Sequence, residues 1–237
     1  MNNNLEFNDG VYVNDNAVSK SFVSNVFAYM ALALAISGAL AYLFGTTDLI
    51  FSLVTRSGMT TLGWVVMFAP FAFILAMNFG FNKMSFTTLL AVFLGYAAVM
   101  GISLSFIFLV YEFGVITKVF FITAGLFGAM AFIGYTTKTD LTKFGGILMM
   151  AVIGLVIASV VNMFMKSSQM DYIISCVGVL VFTGLTAYDV QKIKRIGAGV
   201  EFGTAEASKL ALMGALSLYL DFVNLFMFLL RVFARRD

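Results

Sequence analysis

Two aspartates carry the chemistry open to this sequence. Asp189 closes an apolar run in the phrase LTAYDVQKIKRIG, and Asp221 sits in the middle of another, ALSLYLDFVNLFMFLLRVF. A carboxylate inside a lipid-compatible helix is costly on any transfer scale, and it has a partner or a task. In the second phrase Gly214, Ser217, Asp221 and Asn224 are spaced three, four and three apart, which puts them on one helix face. Leu220, Phe222, Phe226 and Phe228 cover much of the rest of that helix. In and just before the first phrase Thr183, Thr186 and Asp189 recur at every third residue. Two carboxylates in one dry site cannot both ionise easily. With one proton shared they hold two helices together; with none they repel or recruit a cation. Calcium, whose oxygen coordination is flexible, suits two carboxylates completed by carbonyls and water. The same residues admit a plainer reading, with Asp189 at the membrane rim and Asp221 packed on Ser217, Asn224 or Tyr188.

Composition defines the medium in which these acids must be held. Of the 237 residues 61% are apolar, 16% aromatic and 11% charged, with one proline, and the mean hydropathy is +0.99. That is too apolar for a soluble domain of this length, so the lipid bilayer is the first partner implied. Fourteen basic against 12 acidic residues leave +2, which gives no reason to invoke nucleic acid. One cysteine, Cys176, excludes an internal disulfide framework and a thiolate metal cluster. The absence of histidine removes zinc–histidine chemistry, haem ligation and a histidine base, so proton chemistry near neutral pH falls to carboxylates. No tightly bound cofactor is expected.

Charges mark out the spans. Residues 1–21 are polar and Asn-rich and lack the basic start and small-residue cleavage site of a secretory signal, so they read as a loose tail. Uncharged gaps then run 21–47, 57–82, 84–111, 119–137, 144–165 and 172–188, followed by 210–230 interrupted by Asp221. Crossing the hydrocarbon core takes about 20 apolar residues. The expected fold is therefore an all-α membrane protein of seven helices. It is a single domain over 22–232, with a basic tail at 233–237. The sixth helix is long enough only if it continues through Asp189 toward Arg195. A polar stripe cannot face lipid cheaply, so the seventh helix belongs inside the other six.

The depths of the two acids can be compared from helix rise. A sixth helix running about five residues past Asp189 places that carboxylate about one and a half turns below the rim. A seventh helix starting near 210–212 places Asp221 about 14–17 Å along its axis, and a tilt brings the two level. The stretch 197–208 (GAGVEFGTAEAS) reads as the longest polar connection, with glycines suited to a helix stop. Small residues at four-residue spacing suit close helix packing: Ala97 with Gly101, Ala124 with Gly128, Gly154 with Ala158, and Ala207 with Ala211 and Ala215. Pro70 removes one backbone hydrogen bond from the second span and should kink it after Val66.

Lysine and arginine counts orient the bundle. With the N-terminus cytoplasmic, that side holds Lys20, Lys83, Lys138, Lys143, Lys192, Lys194, Arg195 and Lys209, against Arg56, Lys118 and Lys166 opposite. Seven crossings then leave Arg231, Arg235 and Arg236 outside. A last segment that enters and returns would resolve that conflict; a full crossing is favoured.

The phrases LTAYDVQKIKRIG and ALSLYLDFVNLFMFLLRVF resemble the C-terminal signature of the Bax inhibitor-1, or transmembrane Bax-inhibitor-motif, family in its bacterial branch. The general likeness extends over residues 20–236. The resemblance implies a seven-helix fold with a central last helix, in the bacterial cytoplasmic (inner) membrane. It also implies a proton-sensitive aspartate pair, Asp189 with Asp221, that gates a calcium leak and binds calcium transiently. Thr186, Ser217 and Asn224 would be secondary polar lining. Calcium and protons would then be the partners in transport. A different class, an interaction protein that modulates a membrane protease or stress response, fits the family's protective role, and a proton-coupled cation exchanger is a third possibility. Two departures stand out. Some members carry an arginine in the second helix that pairs with the aspartates, whereas this span has no charge; and 197–208 is longer than in compact members. An enzyme is not expected. Intramembrane aspartyl proteases carry a YD and a GxGD phrase, and Asp221 follows Leu-Tyr-Leu with no glycine.

Overall fold

The computed structural model describes residues 15–233 apart from 57 and 202. Seven α-helices account for almost all of them: α1 Asp15–Thr46, α2 Thr61–Gly80, α3 Phe86–Leu104, α4 Phe113–Thr136, α5 Thr142–Met165, α6 Ser168–Gly199 and α7 Ala205–Phe233. Each contains a stretch long and apolar enough to cross a bilayer, and the chain is an integral membrane protein. A short 3-10 turn and a two-residue hairpin, β1 (Val54–Thr55) with β2 (Gly58–Met59), fill the α1–α2 connection.

Local chemistry starts and stops the helices where loops are tight. The hydroxyls of Thr60, Ser85 and Ser167 accept from the backbone N–H groups of Gly63, Thr88 and Met170, capping α2, α3 and α6. The α5–α6 turn is closed by Asn162, whose side-chain oxygen accepts from Ser167 N at 3.1 Å, with Lys166 in the left-handed region at φ 51°. Pro70 is buried inside α2, which remains one helix across it.

Burial separates centre from periphery. In α7 and α6, 61% and 56% of the most apolar window is buried; in α5 the share is 6%. α7 packs on α6, α1, α4 and α3, while α2 lies against α3 and α5 against α6. The last helix is therefore central, as the polar stripe required, but its enclosing wall has four helices rather than six. α2 and α5 give most of their surface to lipid. Met150, Ile153, Val156, Ile157 and Phe164 of α5 are all more than half exposed, as befits a surface whose solvent is hydrocarbon.

Several boundaries differ from the sequence reading. α1 begins at Asp15, inside the stretch read as tail, and 1–14 lie outside the described residues, as do 234–237. The stretch 197–208 is mostly helical: α6 runs to Gly199 and α7 begins at Ala205, so the connection shrinks to 200–204. Polarity misled here because the end of a membrane helix that projects past the hydrocarbon is free to be polar. Among the small-residue pairs, Ala97, Gly101, Ala207, Ala211 and Ala215 are buried. Gly128 and Gly154 instead face outward, where an added side chain meets nothing within 4 Å. The close approach of α4 to α6 occurs at Gly134, where a Cβ would collide with the backbone of Ala187.

At the end of α6 a polar clamp ties down the α4–α5 loop. Gln191 donates from Nε2 to Thr139 O at 2.8 Å and accepts from Leu141 N at 2.8 Å. Arg195 donates to Asp140 Oδ1 at 2.7 Å. Asp140 lies in this loop; hydrogen bonds from the Thr142 hydroxyl and backbone N–H, and then from Arg195, hold its carboxyl down to about 2 from an ordinary 3.8. A depressed carboxyl stabilises the fold above its ordinary value, and that contribution is lost as pH falls through the depressed one. The Asp140 carboxyl carbon, followed by NMR, should titrate near 2, and Thr142→Ala should move the midpoint toward 3.8; an unmoved midpoint would remove Thr142 as the main cause. Gly134→Ala should lower the thermal unfolding midpoint in detergent through an overpacking cost of about 1–3 kcal/mol. Gly128→Ala should not lower it, and equal midpoints would mean that α4 and α6 do not close at Gly134.

Candidate functional site

The two aspartates meet between α6 and α7. Asp189 stands ten residues before the end of α6 at Gly199, about 15 Å along the axis, and Asp221 sixteen residues after Ala205, about 24 Å along α7. Asp221 is thus near the middle of its helix, and Asp189 is about one and a half turns inside the Arg195 end of its own. Both side chains are buried, at 8% and 5% exposure. Their carboxyl groups adjoin closely enough to interact by hydrogen bonding and by charge. Ser217, one turn before Asp221 on the same face of α7, donates its hydroxyl to Asp189 Oδ2. Asp221 Oδ2 is buried with no hydrogen-bond partner among the described residues.

No cation neutralises the pair by a salt bridge among the described residues; the ion pairs found are Arg195–Asp140 and Arg231–Asp171. Lys192, one turn beyond Asp189 on α6, is exposed and acts on it at longer range. The uncharged α2 lies against α3, away from the pair. Two like-charged oxygens so placed cannot both be bare anions in a dry interior at low cost. One proton shared between them would relieve that cost. A cation of flexible coordination is the alternative, with two carboxylates and one hydroxyl supplying only part of the six to eight oxygens that calcium takes.

The other residues expected at the site separate. Ser217 belongs to it. Thr186 is fully buried, but its hydroxyl donates to Phe182 O in its own helix at 2.8 Å. Asn224 likewise donates from its amide nitrogen back to Leu220 O at 2.8 Å. Both bonds have one cause: a polar side chain in an apolar helix satisfies its donor on the carbonyl four residues back. Thr183 Oγ1 is buried and unpartnered.

A second polar centre was not anticipated. Ser37, in the apolar run of α1, sits beside Tyr219 OH at 2.7 Å and within 2.7 Å of Ala97 O and 2.9 Å of Ala33 O. Either hydroxyl can donate to the other, and the arrangement that makes most bonds has Ser37 donating to a carbonyl and Tyr219 donating to Ser37. Tyr96 stands edge-on to Tyr219 at 5.4 Å between ring centroids. This cluster joins α1, α3 and α7 on a side of α7 away from the aspartates. The available signal was a lone serine and two tyrosines in apolar helices, each needing a partner at membrane depth. Beside it a cavity of about 300 Å³ opens between α1, α4 and α7, lined by Ser37, Tyr42, Thr117, Tyr219 and aromatic rings such as Phe120 and Phe222. Neither aspartate lines it.

The seventh helix is long and apolar enough to cross completely. It is continuous over 29 residues, and Arg231 near its end lies 3.8 Å from Asp171 at the start of α6. Tyr111, between α3 and α4, joins them; burial pushes its phenol above the ordinary value, with Arg231 pulling it down and Asp171 pushing it up. Arg231 thus rests on the face opposite the start of α7, where Asp171 offsets its charge.

These features define a class, a seven-helix membrane bundle whose central helix carries one half of a buried di-carboxyl site. The model of the family described as inhibitor of apoptosis-promoting Bax1 matches residues 19–237. The inner membrane protein YbhL of Escherichia coli K12 is 38% identical over 218 residues, covering 92% of each chain. A protein of Borreliella burgdorferi is 41% identical over 219 residues, 92% of this chain and 94% of that one. One of Rickettsia prowazekii is 40% identical over 220 residues, 92% and 90% respectively. The chain belongs to the Bax inhibitor-1 family.

The Ser37–Tyr219 contact makes a quantitative expectation. Tyr219→Phe removes one buried hydrogen bond while Ser37 keeps a carbonyl acceptor, a net cost of about 1 kcal/mol. Ser37→Ala strands the Tyr219 hydroxyl as a buried donor and should lower the unfolding midpoint in detergent further, by about 1–3 kcal/mol in all. The reverse order of the two midpoints would mean that Tyr219 finds another acceptor.

Proposed function

We propose that this protein is a pH-sensitive calcium leak channel of the bacterial inner membrane, gated by Asp189 and Asp221. The observation that carries the reading is the adjoining of two buried carboxyls at membrane depth, with Asp221 Oδ2 left without a partner. A shared proton links α6 to α7 and closes the path at their contact. Loss of that proton leaves two anions facing each other across the helix interface. Repulsion then loosens α6 from α7, and a partly hydrated cation compensates the charge. Ser217 orients Asp189 in the closed arrangement. The groups that bear on the pair are each other, Ser217 of α7 and the distant Lys192 of α6.

With no arginine latch from α2, the proton itself is the lock in this chain, and closing requires acidification rather than an internal ion pair. Membership of the Bax inhibitor-1 family and the name of the Escherichia coli relative support the membrane assignment. The eight basic residues on the face of the N-terminus, against three in the opposite loops, support placing that face in the cytoplasm. The role is transport rather than catalysis, with calcium as cargo and no resident cofactor.

Calcium flux into liposomes holding the purified protein should rise as pH is raised from about 5 to about 8. Asp189→Asn with Asp221→Asn, in which no proton can be lost, should abolish that pH dependence. An unchanged profile in the double variant, or no flux at any pH, would remove the channel reading.

A further inference from the structure

A pocket of about 240 Å³ opens at the end of the bundle where α4 stops, between that end, the last turns of α6 and the start of α1. Its walls include Lys138, Lys194 and Arg195, with the polar Ser19, Thr137 and Gln191, and no acidic residue lines it. We propose that this pocket binds a phosphate group, either the headgroup of an anionic phospholipid or free inorganic phosphate.

The charge balance points to an anion. Three cations converge from two elements, and the neighbouring Asp140 pairs with Arg195 from outside the pocket wall at 2.7 Å, so three minus one leaves about two positive charges unmatched. Lys194 is fixed in place: its ammonium donates to Tyr135 O at 2.8 Å and lies over the Tyr135 ring at 4.7 Å. That uses one of its three hydrogens and leaves two for a ligand. Lys138 is exposed, with no hydrogen bond or ion pair among the described residues. One cation would be enough to complement the carbonyl end of α4; the second and third exceed that need.

Size and position suit a headgroup. The volume falls below the roughly 300–1,000 Å³ of sites for drug-sized ligands. The span of α4 ends at Thr136, so Thr137 and Lys138 stand where the helix leaves the hydrocarbon. Just below, Phe132 and Ile133 are 69% and 49% exposed on the lipid-facing flank of α4, a surface along which acyl chains attached to a bound headgroup can run. Basic pockets between transmembrane helices are the usual form of such sites. The floor is built firmly, since Ser19 donates to Lys194 O at 3.1 Å and Gln191 is held by the 139–141 loop.

The test is thermal unfolding of the full-length protein in detergent, titrated separately with phosphatidylglycerol, phosphatidylcholine and inorganic phosphate. Wild type should show a saturable rise in midpoint with phosphatidylglycerol that exceeds the response to zwitterionic phosphatidylcholine. Lys138→Gln should weaken that titration about tenfold, the loss of one charge-assisted contact, and Lys138→Arg should restore it. Lys138 is exposed and makes no hydrogen bond or ion pair among the described residues, so its variant reads binding and not folding. A response to inorganic phosphate that Lys138→Gln weakens equally would support the site and identify a soluble anion as sufficient. A response to phosphatidylglycerol alone would support it and identify the lipid. Phosphatidylglycerol acting no better than phosphatidylcholine with no effect of inorganic phosphate, or a titration unaltered by Lys138→Gln, would overturn the proposal.

Discussion

The fold turns on the cost of holding two carboxylates at membrane depth. Neither acid can face lipid, and neither can be left as an isolated anion in a dry core. Both conditions are met by placing α6 against α7 with their acid-bearing faces together and enclosing α7 on its other sides. Each remaining face of α7 then has its own partner. Tyr219 reaches Ser37 of α1 and the ring of Tyr96 on α3. Phe222 packs edge-on to Phe120 and Phe127 of α4. Phe228 returns to Phe182 and Gly178 of α6. A helix apolar almost all round and polar on one stripe can be satisfied only at the centre of a bundle.

The periphery follows from the same constraint. Once α1, α3, α4 and α6 enclose α7, α2 and α5 have little polar surface to hide and are free to face lipid. This is why the charge-free α2 supplies no counter-ion to the aspartates. The basic residues are instead collected toward the helix ends, where Gln191 and Arg195 fasten the α4–α5 loop to the last turns of α6 and Lys194 holds the end of α4. The acid-bearing helix is thus anchored within two turns of Asp189. That same anchoring shapes the basic pocket, so the membrane surface and the buried acids are connected through one helix.

Much of this was legible before any coordinates. Hydropathy and charge placement give seven membrane helices because the bilayer imposes one length and one polarity on every span. The three-and-four spacing around Asp221 gives a central last helix because no other place tolerates the stripe. Family membership follows from the same phrases that hold the acids. Composition misled where its rule stops applying: 197–208 is polar yet mostly helical, since a helix beyond the hydrocarbon is no longer required to be apolar, and Gly128 and Gly154 have packing spacing yet face outward.

What the sequence determined by itself was therefore the medium, the number of spans and the two residues that had to be hidden, because each depends only on composition and on periodicity along one helix. Tertiary structure decided which polar groups meet. Ser217 reaches Asp189 across an interface, while Thr186 and Asn224, with the same spacing, turn back on their own helices. It alone brought Ser37 to Tyr219, 182 positions apart, and Lys194 to the end of α4, 59 positions away. Helical periodicity states which face a side chain occupies; which helix stands opposite depends on packing among seven similar spans, and local sequence does not encode it.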